Sequence, residues 1–188
     1  MKRGLLIILS GPSGVGKGTV RAKLFANADL NLAYSISMTT RPIRPGEKDG
    51  VDYFFVDKEN FLKALDNDEL LEHAVFVGNY YGTPKKYVDD LRDKGYNVIL
   101  EIEVEGAKQV IEKCPDAISF FLIPPTIEEL ENRIKNRKTE TEEVIQKRLN
   151  KAKYEMKLLN IYTHVILNDS VDRAKDEITD ILLRYINK

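Results

Sequence analysis

Residues 4–19, GLLIILSGPSGVGKGT, constrain the fold of this 188-residue chain more than any other stretch. An apolar run from Leu5 to Leu9 stops at a glycine-rich turn carrying one lysine, Lys17, and Thr19-Val20-Arg21-Ala22-Lys23-Leu24-Phe25 then reads as a helix. A strand, a glycine turn and a helix in that order gather backbone N–H groups and the positive end of a helix dipole around one point, which is how a chain binds phosphate. Gly11, Gly14 and Gly16 let the backbone double back, Lys17 reaches the outer phosphates, and Pro12, Ser13, Val15, Gly18 and Thr19 complete the cradle. The spacing of Gly11, four residues, Gly16 and Lys17 arises by chance in roughly one chain of this length in twenty, so the flanking strand and helix carry the assignment. The strict pattern places Ser or Thr after the lysine. Here Gly18 stands there with Thr19 next, which leaves open which hydroxyl would face a magnesium ion.

The length suits one α/β domain with an insertion. Apolar residues at 43% suffice for a core, and a net charge of −1 gives no general attraction to nucleic acid or anionic membrane, so any anion site must be local. Cys114 is the only cysteine, which excludes an intrachain disulfide and a cysteine metal cluster and fits a reduced, cytoplasmic compartment. Met1-Lys2-Arg3 before an apolar run imitates a signal peptide, but the run leads straight into the phosphate turn and cleavage would destroy it. No run approaches the ~20 apolar residues of a membrane span.

After the first helix a polar connection, Asn27 to Asn31, leads to a strand-like Ala33–Ser37. Residues 39–50, TTRPIRPGEKDG, read as a functional loop. Val51–Val56 is expected as a strand, and Asp57 caps a helix from Lys58 to Asp66. Leu70–Val77 and Asn79–Tyr81 read as strands turning at Gly78, and Thr83-Pro84 as the cap and first turn of a helix ending near Gly95. Residues 36 to about 82 thus form a small β-rich insertion. Tyr96–Ile102 and Ala117–Ile123 read as buried strands, with a helix from Glu105 to Lys113 between them. Thr126 caps a helix to Lys135, and another starts at Thr141 with a seam of Val144, Leu149, Ala152, Met156 and Leu159. His164–Leu167 is a last strand, and Val171–Tyr185 an amphipathic helix. Strands alternating with helices predict a mainly parallel sheet covered on both faces, with ligands at the carboxyl ends of its strands.

The insertion carries residues suited to a second phosphate. Arg41 and Arg44 offer guanidinium forks, and Tyr53 and Tyr81 offer phenol hydroxyls; equally, they read as solvated arginines and core tyrosines. Ser37, Glu72, Thr83 and Glu103 form a second set. A guanine edge presents N1–H and 2-amino donors and accepts at O6, so carboxylates would receive the donors and hydroxyls would serve the rest. Adenine reverses that pattern. Taken alone, Glu72 reads as a strand carboxylate exposed to solvent. His73 and His164 both sit in strand-like stretches and read as structural.

The stretches SISMTTRPIRPGEKDGVDYFFV, FVGNYYGTP and RKTETEEVIQKRL, in order after GPSGVGKGT, resemble the guanylate kinase family over residues 4 to 185. The resemblance implies a P-loop core with a five-stranded parallel sheet flanked by helices (residues 1–35, 83–125 and 160–188), a GMP-binding insertion (36–82) and a helical lid region (126–159). By position it assigns the GMP phosphate to Arg41, Arg44, Tyr53 and Tyr81, and the guanine edge to Ser37, Glu72, Thr83 and Glu103. It assigns ATP and the transferring phosphoryl group to the phosphate loop with Lys17, Arg133, Arg137 and Arg148, places Asn168 beside adenine, and sets Thr19 and Glu101 near Mg²⁺, the latter through water. Glu101 and Glu103 stand where many members have Asp, Thr83 where some have Ser, and Lys138 where Gly is frequent.

The implied reaction is ATP + GMP giving ADP + GDP with Mg²⁺, dGMP serving as a further acceptor. No general base is needed, because the GMP phosphate is already an oxyanion at neutral pH. Positioning and charge stabilisation would dominate. Two rival readings are a scaffold module that binds phosphopeptides, against which the intact phosphate loop argues, and a kinase of the same build with another acceptor.

Overall fold

The structure, a computed structural model, describes residues 2–135 and 141–188. In chain order the first elements are β1 (Leu6–Ser10), α1 (Lys17–Phe25), β2 (Leu32–Tyr34), β3 (Met38–Thr39), β4 (Phe54–Phe55) and α2 (Lys58–Asp66). Next come β5 (Leu70–Phe76), β6 (Asn79–Pro84), α3 (Lys85–Asp93), β7 (Asn97–Glu101) and α4 (Val104–Lys113). The chain ends with β8 (Ile118–Ile123), α5 (Ile127–Lys135), α6 (Glu142–Glu155), β9 (His164–Leu167) and α7 (Val171–Ile186).

β1 is buried along its whole length because it lies at the centre of a five-stranded parallel sheet of order β2-β7-β1-β8-β9. Successive side chains point to opposite faces, so Ile7 and Leu9 enter one apolar cluster and Leu6 and Ile8 the other. Val20 and Leu24 of α1 and Ala174, Ile178 and Leu182 of α7 cover the first face; Val88 of α3 and Val104, Ala107 and Val110 of α4 cover the second. Each of the valine, leucine and isoleucine side chains contributes about 1.5–3 kcal/mol when fully buried. The chain winds first to the β2/β7 side of β1 and then to the β8/β9 side. The carboxyl end of β1 is therefore the switch point at which a ligand crevice opens. The pairing Leu9↔Glu101 brings Glu101 to that crevice.

A second sheet, order β4-β3-β6-β5, lies within residues 38–84 and packs on its own cluster of Phe61, Ala64 and Leu70 with Met38, Val56, Leu65 and Tyr80. The structure departs from the sequence reading in four places. The expected strand Val51–Val56 shrinks to Phe54–Phe55, because Asp52 Oδ2 takes the Lys48 N–H and Asp49 Oδ1 the Phe55 N–H, tying the preceding residues into turns. Thr83 does not cap α3: β6 runs through to Pro84, and the Thr83 hydroxyl is spent on Glu72. The α6 seam is Ile145, Leu149 and Ala152, with Val144 exposed, since steps of four and three follow the helical period and a step of five does not. The Asn27–Asn31 connection is not wholly polar, for an Asn27-capped 3₁₀ turn plants Leu30 in the core.

Gly4, just before β1, accepts no side chain, because a Cβ there would lie 1.8 Å from the Tyr96 carbonyl oxygen. Gly4→Ala is expected to cost about 3 kcal/mol of stability, read as a lowered urea midpoint; an unmoved midpoint would show that this approach relaxes freely.

Candidate functional site

The phosphate loop leaves β1 and turns into α1 with Gly11, Gly14 and Gly16 all at positive φ. A Cβ at Gly14 would sit 2.8 Å from Ile134 Cγ1 and one at Gly16 2.9 Å from Asn168 Nδ2, so α5 and the end of β9 press on the loop from behind. Two side chains brace it there. The Val15 carbonyl accepts from Asn168 Nδ2 (2.7 Å) and from Arg133 Nη1 (3.2 Å), while Arg133 Nη2 also donates to the Asn168 carbonyl and pairs with Glu129. Lys17, the first residue of α1, donates from Nζ to the Gly11 carbonyl (2.6 Å) and the Pro12 carbonyl (3.2 Å). Burial pushes its pKa down, and the charge of Glu101 opposes that shift most strongly. A phosphate in the loop would relieve the same deficit.

Ser13, Gly14, Gly16, Lys17, Gly18, Thr19 and Glu101 line an open cavity of about 370 Å³. Glu101 is fixed by Arg21, whose Nε lies 3.1 Å from Oε2 and whose guanidinium stacks over the Tyr34 ring. Glu101 Oε1 lies 3.7 Å from where a Gly18 Cβ would be, an ordinary contact distance, so the backbone leaves room for a larger residue at position 18.

Of the phosphate-type residues of the insertion, Arg41, Tyr53 and Tyr81 lie together. The Arg41 guanidinium sits 5.4 Å from the Tyr53 ring centre, and the Tyr53 and Tyr81 rings meet edge-on at 6.1 Å. Arg41 is largely buried because Glu47, absent from the sequence reading, holds it in a two-point pair at 2.8 and 3.0 Å. Glu47 also accepts from the Arg44 backbone N–H, which closes the loop; the Arg44 side chain is exposed. The signal was present as an acidic residue six places after an arginine across the Pro45-Gly46 turn.

In the guanine-type set, Thr83 Oγ1 donates to Glu72 Oε1 at 2.6 Å, and both residues are buried, so Glu72 is not the solvent-exposed strand carboxylate expected of it alone. The pairing Met38↔Gly82 brings Ser37 alongside Thr83. Gly106 of α4 backs Glu72 so closely that a Cβ would lie 2.7 Å from Oε2. Glu103 sits at the start of the same helix, exposed, with Oε2 2.5 Å from Lys151 of α6. Arg148 is half-buried on α6, and Arg137 and Lys138 lie outside the described residues. His164 stacks on Phe120 and meets the Tyr185 hydroxyl, a packing role.

Burial pushes the Glu72 pKa above the ordinary glutamate range, against the Thr83 hydrogen bond, and among the described residues no cation offsets that burial. A raised folded-state pKa means that the native form holds the proton more tightly than the unfolded chain. Glu72 therefore subtracts stability as pH rises from the usual glutamate range through its raised value. Glu72→Gln is expected to raise the neutral-pH stability by about 0.5–2 kcal/mol, with the gain vanishing near pH 4. Thermal midpoints at both pH values check this, and a pH-independent difference would refute it.

The chain matches the family model described as guanylate kinase over residues 3–185. It is 59% identical over 182 residues to a guanylate kinase of Mycoplasma mycoides and 56% identical over 182 residues to one of Mesoplasma florum. Each alignment covers 97% of this chain and 61% of the relative, so the chain spans about three-fifths of the length of these relatives. A crystal structure of guanylate kinase from Anaplasma phagocytophilum is similar with a TM-score of 0.75 at 36% identity, covering all of this chain and 89% of that one. An uncharacterised protein from Eubacterium ventriosum, at 14% identity and TM-score 0.52, shares the fold alone. With a phosphate cradle at the switch point and a second group of polar side chains in the insertion, the chain belongs to the guanylate kinase family.

Proposed function

We propose that this protein transfers the γ-phosphoryl group of ATP to GMP, giving ADP and GDP, with dGMP as a further acceptor. The observation that carries the reading is Glu72. A carboxylate buried without a balancing cation is costly unless donors meet it. One oxygen already receives the Thr83 hydroxyl, and the guanine N1–H and 2-amino group are the donors that would satisfy the remainder, with Ser37 alongside and Glu103 available at the start of α4. Adenine at the same edge would set an acceptor against the carboxylate.

In this reading residues 36–82 hold GMP, residues 126–159 form the lid region, and the rest holds ATP. Lys17 leaves the Gly11 and Pro12 carbonyls for the β- and γ-phosphates, while the loop N–H groups hold the remaining oxygens. Arg41, Arg44, Tyr53 and Tyr81 fix the GMP phosphate so that its oxyanion attacks in line. Arg133, Arg137 and Arg148 balance the charge that spreads over the transferring group. Asn168, which braces the loop, borders the adenine of ATP.

The residues present fit a magnesium ion. Thr19 and Glu101 line the cavity with hard oxygens, and, among the described residues, no cluster of three or more His, Cys, Asp or Glu side chains forms a cage. That donor set suits an ion held mainly by phosphates and water. When bound, it would neutralise the β- and γ-phosphate charge; Arg21 would keep Glu101 facing it. No described helix is long and apolar enough to cross a membrane. A cytoplasmic setting, without nucleic-acid or membrane partners, fits the single cysteine and the near-neutral charge.

Coupled ADP release with Mg·ATP tests the proposal against GMP, AMP, UMP and no acceptor. Turnover is expected with GMP alone, and Glu72→Gln should lower kcat/KM for GMP by roughly 10- to 100-fold, the worth of a lost charged hydrogen bond. ADP release no faster with any nucleoside monophosphate than without one would remove the kinase reading. Arg41→Ala is expected to raise KM for GMP while leaving KM for ATP within about twofold; equal effects on both substrates would displace Arg41 from the acceptor site.

A further inference from the structure

Glu72 lies where the insertion's edge strand breaks its own pairing. β5 and β6 pair as Leu70↔Pro84 and again as His73↔Gly82, one residue out of step, so Leu71 and Glu72 occupy a bulge. The bulge lets three consecutive residues be buried in different directions. Leu70 enters the insertion's cluster, Leu71 enters the core under β1 and β7, and Glu72 meets Thr83 and Gly106. A regular strand, with its two-residue period, would place Leu70 and Glu72 on the same side.

A bulge interrupts the ladder, and β5 is an edge strand whose outer side, among the described residues, has no neighbouring strand. Helix α4 supplies the missing partners. Beyond the bulge, Gln109 receives the His73 N–H at Oε1 and donates from Nε2 to the His73 carbonyl, both at 3.0 Å, as a neighbouring strand would. Before the bulge, Lys113 Nζ donates to the Leu70 carbonyl at 2.9 Å and pairs with Asp68 at 2.6 Å. Gly106, Gln109 and Lys113 follow the helical period along one face of α4, so Gln109 and Lys113 hold the backbone on either side of the bulge while Gly106, one turn nearer the helix start, makes room for the Glu72 carboxylate.

We propose that Gln109 and Lys113 clamp the bulge that aims Glu72, which makes Gln109 a positioning residue for guanine selectivity. The proposal deepens the GMP reading given above and rests on it. Gln109 touches no substrate; it acts through the two backbone bonds that fix where the Glu72 carboxylate lies.

The test compares the parent, Gln109→Leu, Lys113→Met, Glu72→Gln and the Gln109→Leu/Glu72→Gln double variant. Gln109→Leu is expected to raise KM for GMP about tenfold, with kcat and KM for ATP within about twofold. It should also narrow the preference for GMP over IMP, which lacks the 2-amino group. In the Glu72→Gln background the same change should move GMP affinity, measured by calorimetry, by less than about twofold, because the positioned carboxylate is gone. Hydrogen exchange at the His73 amide should quicken in Gln109→Leu, and Lys113→Met should act in the same direction more weakly. Lys113→Met carries the kinetic test if Gln109→Leu does not fold. A merely structural role predicts a lower thermal midpoint with unchanged KM for GMP, or an equal loss in both backgrounds; either result overturns the proposal. A parent that shows no GMP-dependent ADP release overturns the functional reading itself, whereas an active parent with unaffected variants overturns only the clamp.

Discussion

The close packing of neighbouring atoms against the backbone of the phosphate loop is the constraint on which the rest of the site depends. The loop must bend so tightly that Gly11, Gly14 and Gly16 all lie at positive φ, where other residues are strained. It must also lie so close to Leu122, Ile134 and Asn168 that there is no space for a Cβ. That packing is possible only because β1 is the central strand of the sheet, with β8 beside it and α5 behind it. The burial of β1 and the shape of the cradle are thus one physical fact. The cradle inherits its rigidity from a core that resists local rearrangement.

A similar dependence holds for the insertion. Its own cluster of three buried side chains is small, so the insertion cannot take the fixed geometry around Glu72 from its own core alone. The precision comes from the contact with α4, where a glycine, an amide and an ammonium group meet β5. Glu47 does the equivalent at Arg41, holding its guanidinium fork while also accepting from the Arg44 N–H and so closing the turn. Buried polar groups are kept where each has a partner, and here the partners double as positioning devices.

How much was legible in the sequence follows from the range of the interactions involved. The parallel sheet, the phosphate loop and the helix spans could be read because they arise from short-period patterns and local turn chemistry, as with Leu6–Ser10 and the Asp57 cap. Thr83 has the local preference of a helix cap, which loses to a partner eleven residues away, Glu72. Val144 was placed in the α6 seam through a spacing that the helical period does not support. Motif positions name the site residues but not their geometry: the Arg41 ion pair needs the turn that brings Glu47 back to it, and Arg133 as a brace on the Val15 carbonyl needs atoms 118 residues away.

By itself the sequence determined the strand–loop–helix cradle, the alternation of apolar runs that forces a doubly covered sheet, and the set of polar residues available to a second ligand. These depend on neighbours within a few residues, where backbone conformation and side-chain period leave few choices. Only the tertiary structure decided that Glu72 is buried against Thr83 and Gly106, that Glu47 holds Arg41, and that Gln109 replaces a missing strand at His73. The burial of Glu72 and the pairing at His73 join segments 11 to 36 residues apart. Their physical cause is the need to satisfy buried backbone and carboxylate groups, a need that exists only once the segments have been brought together.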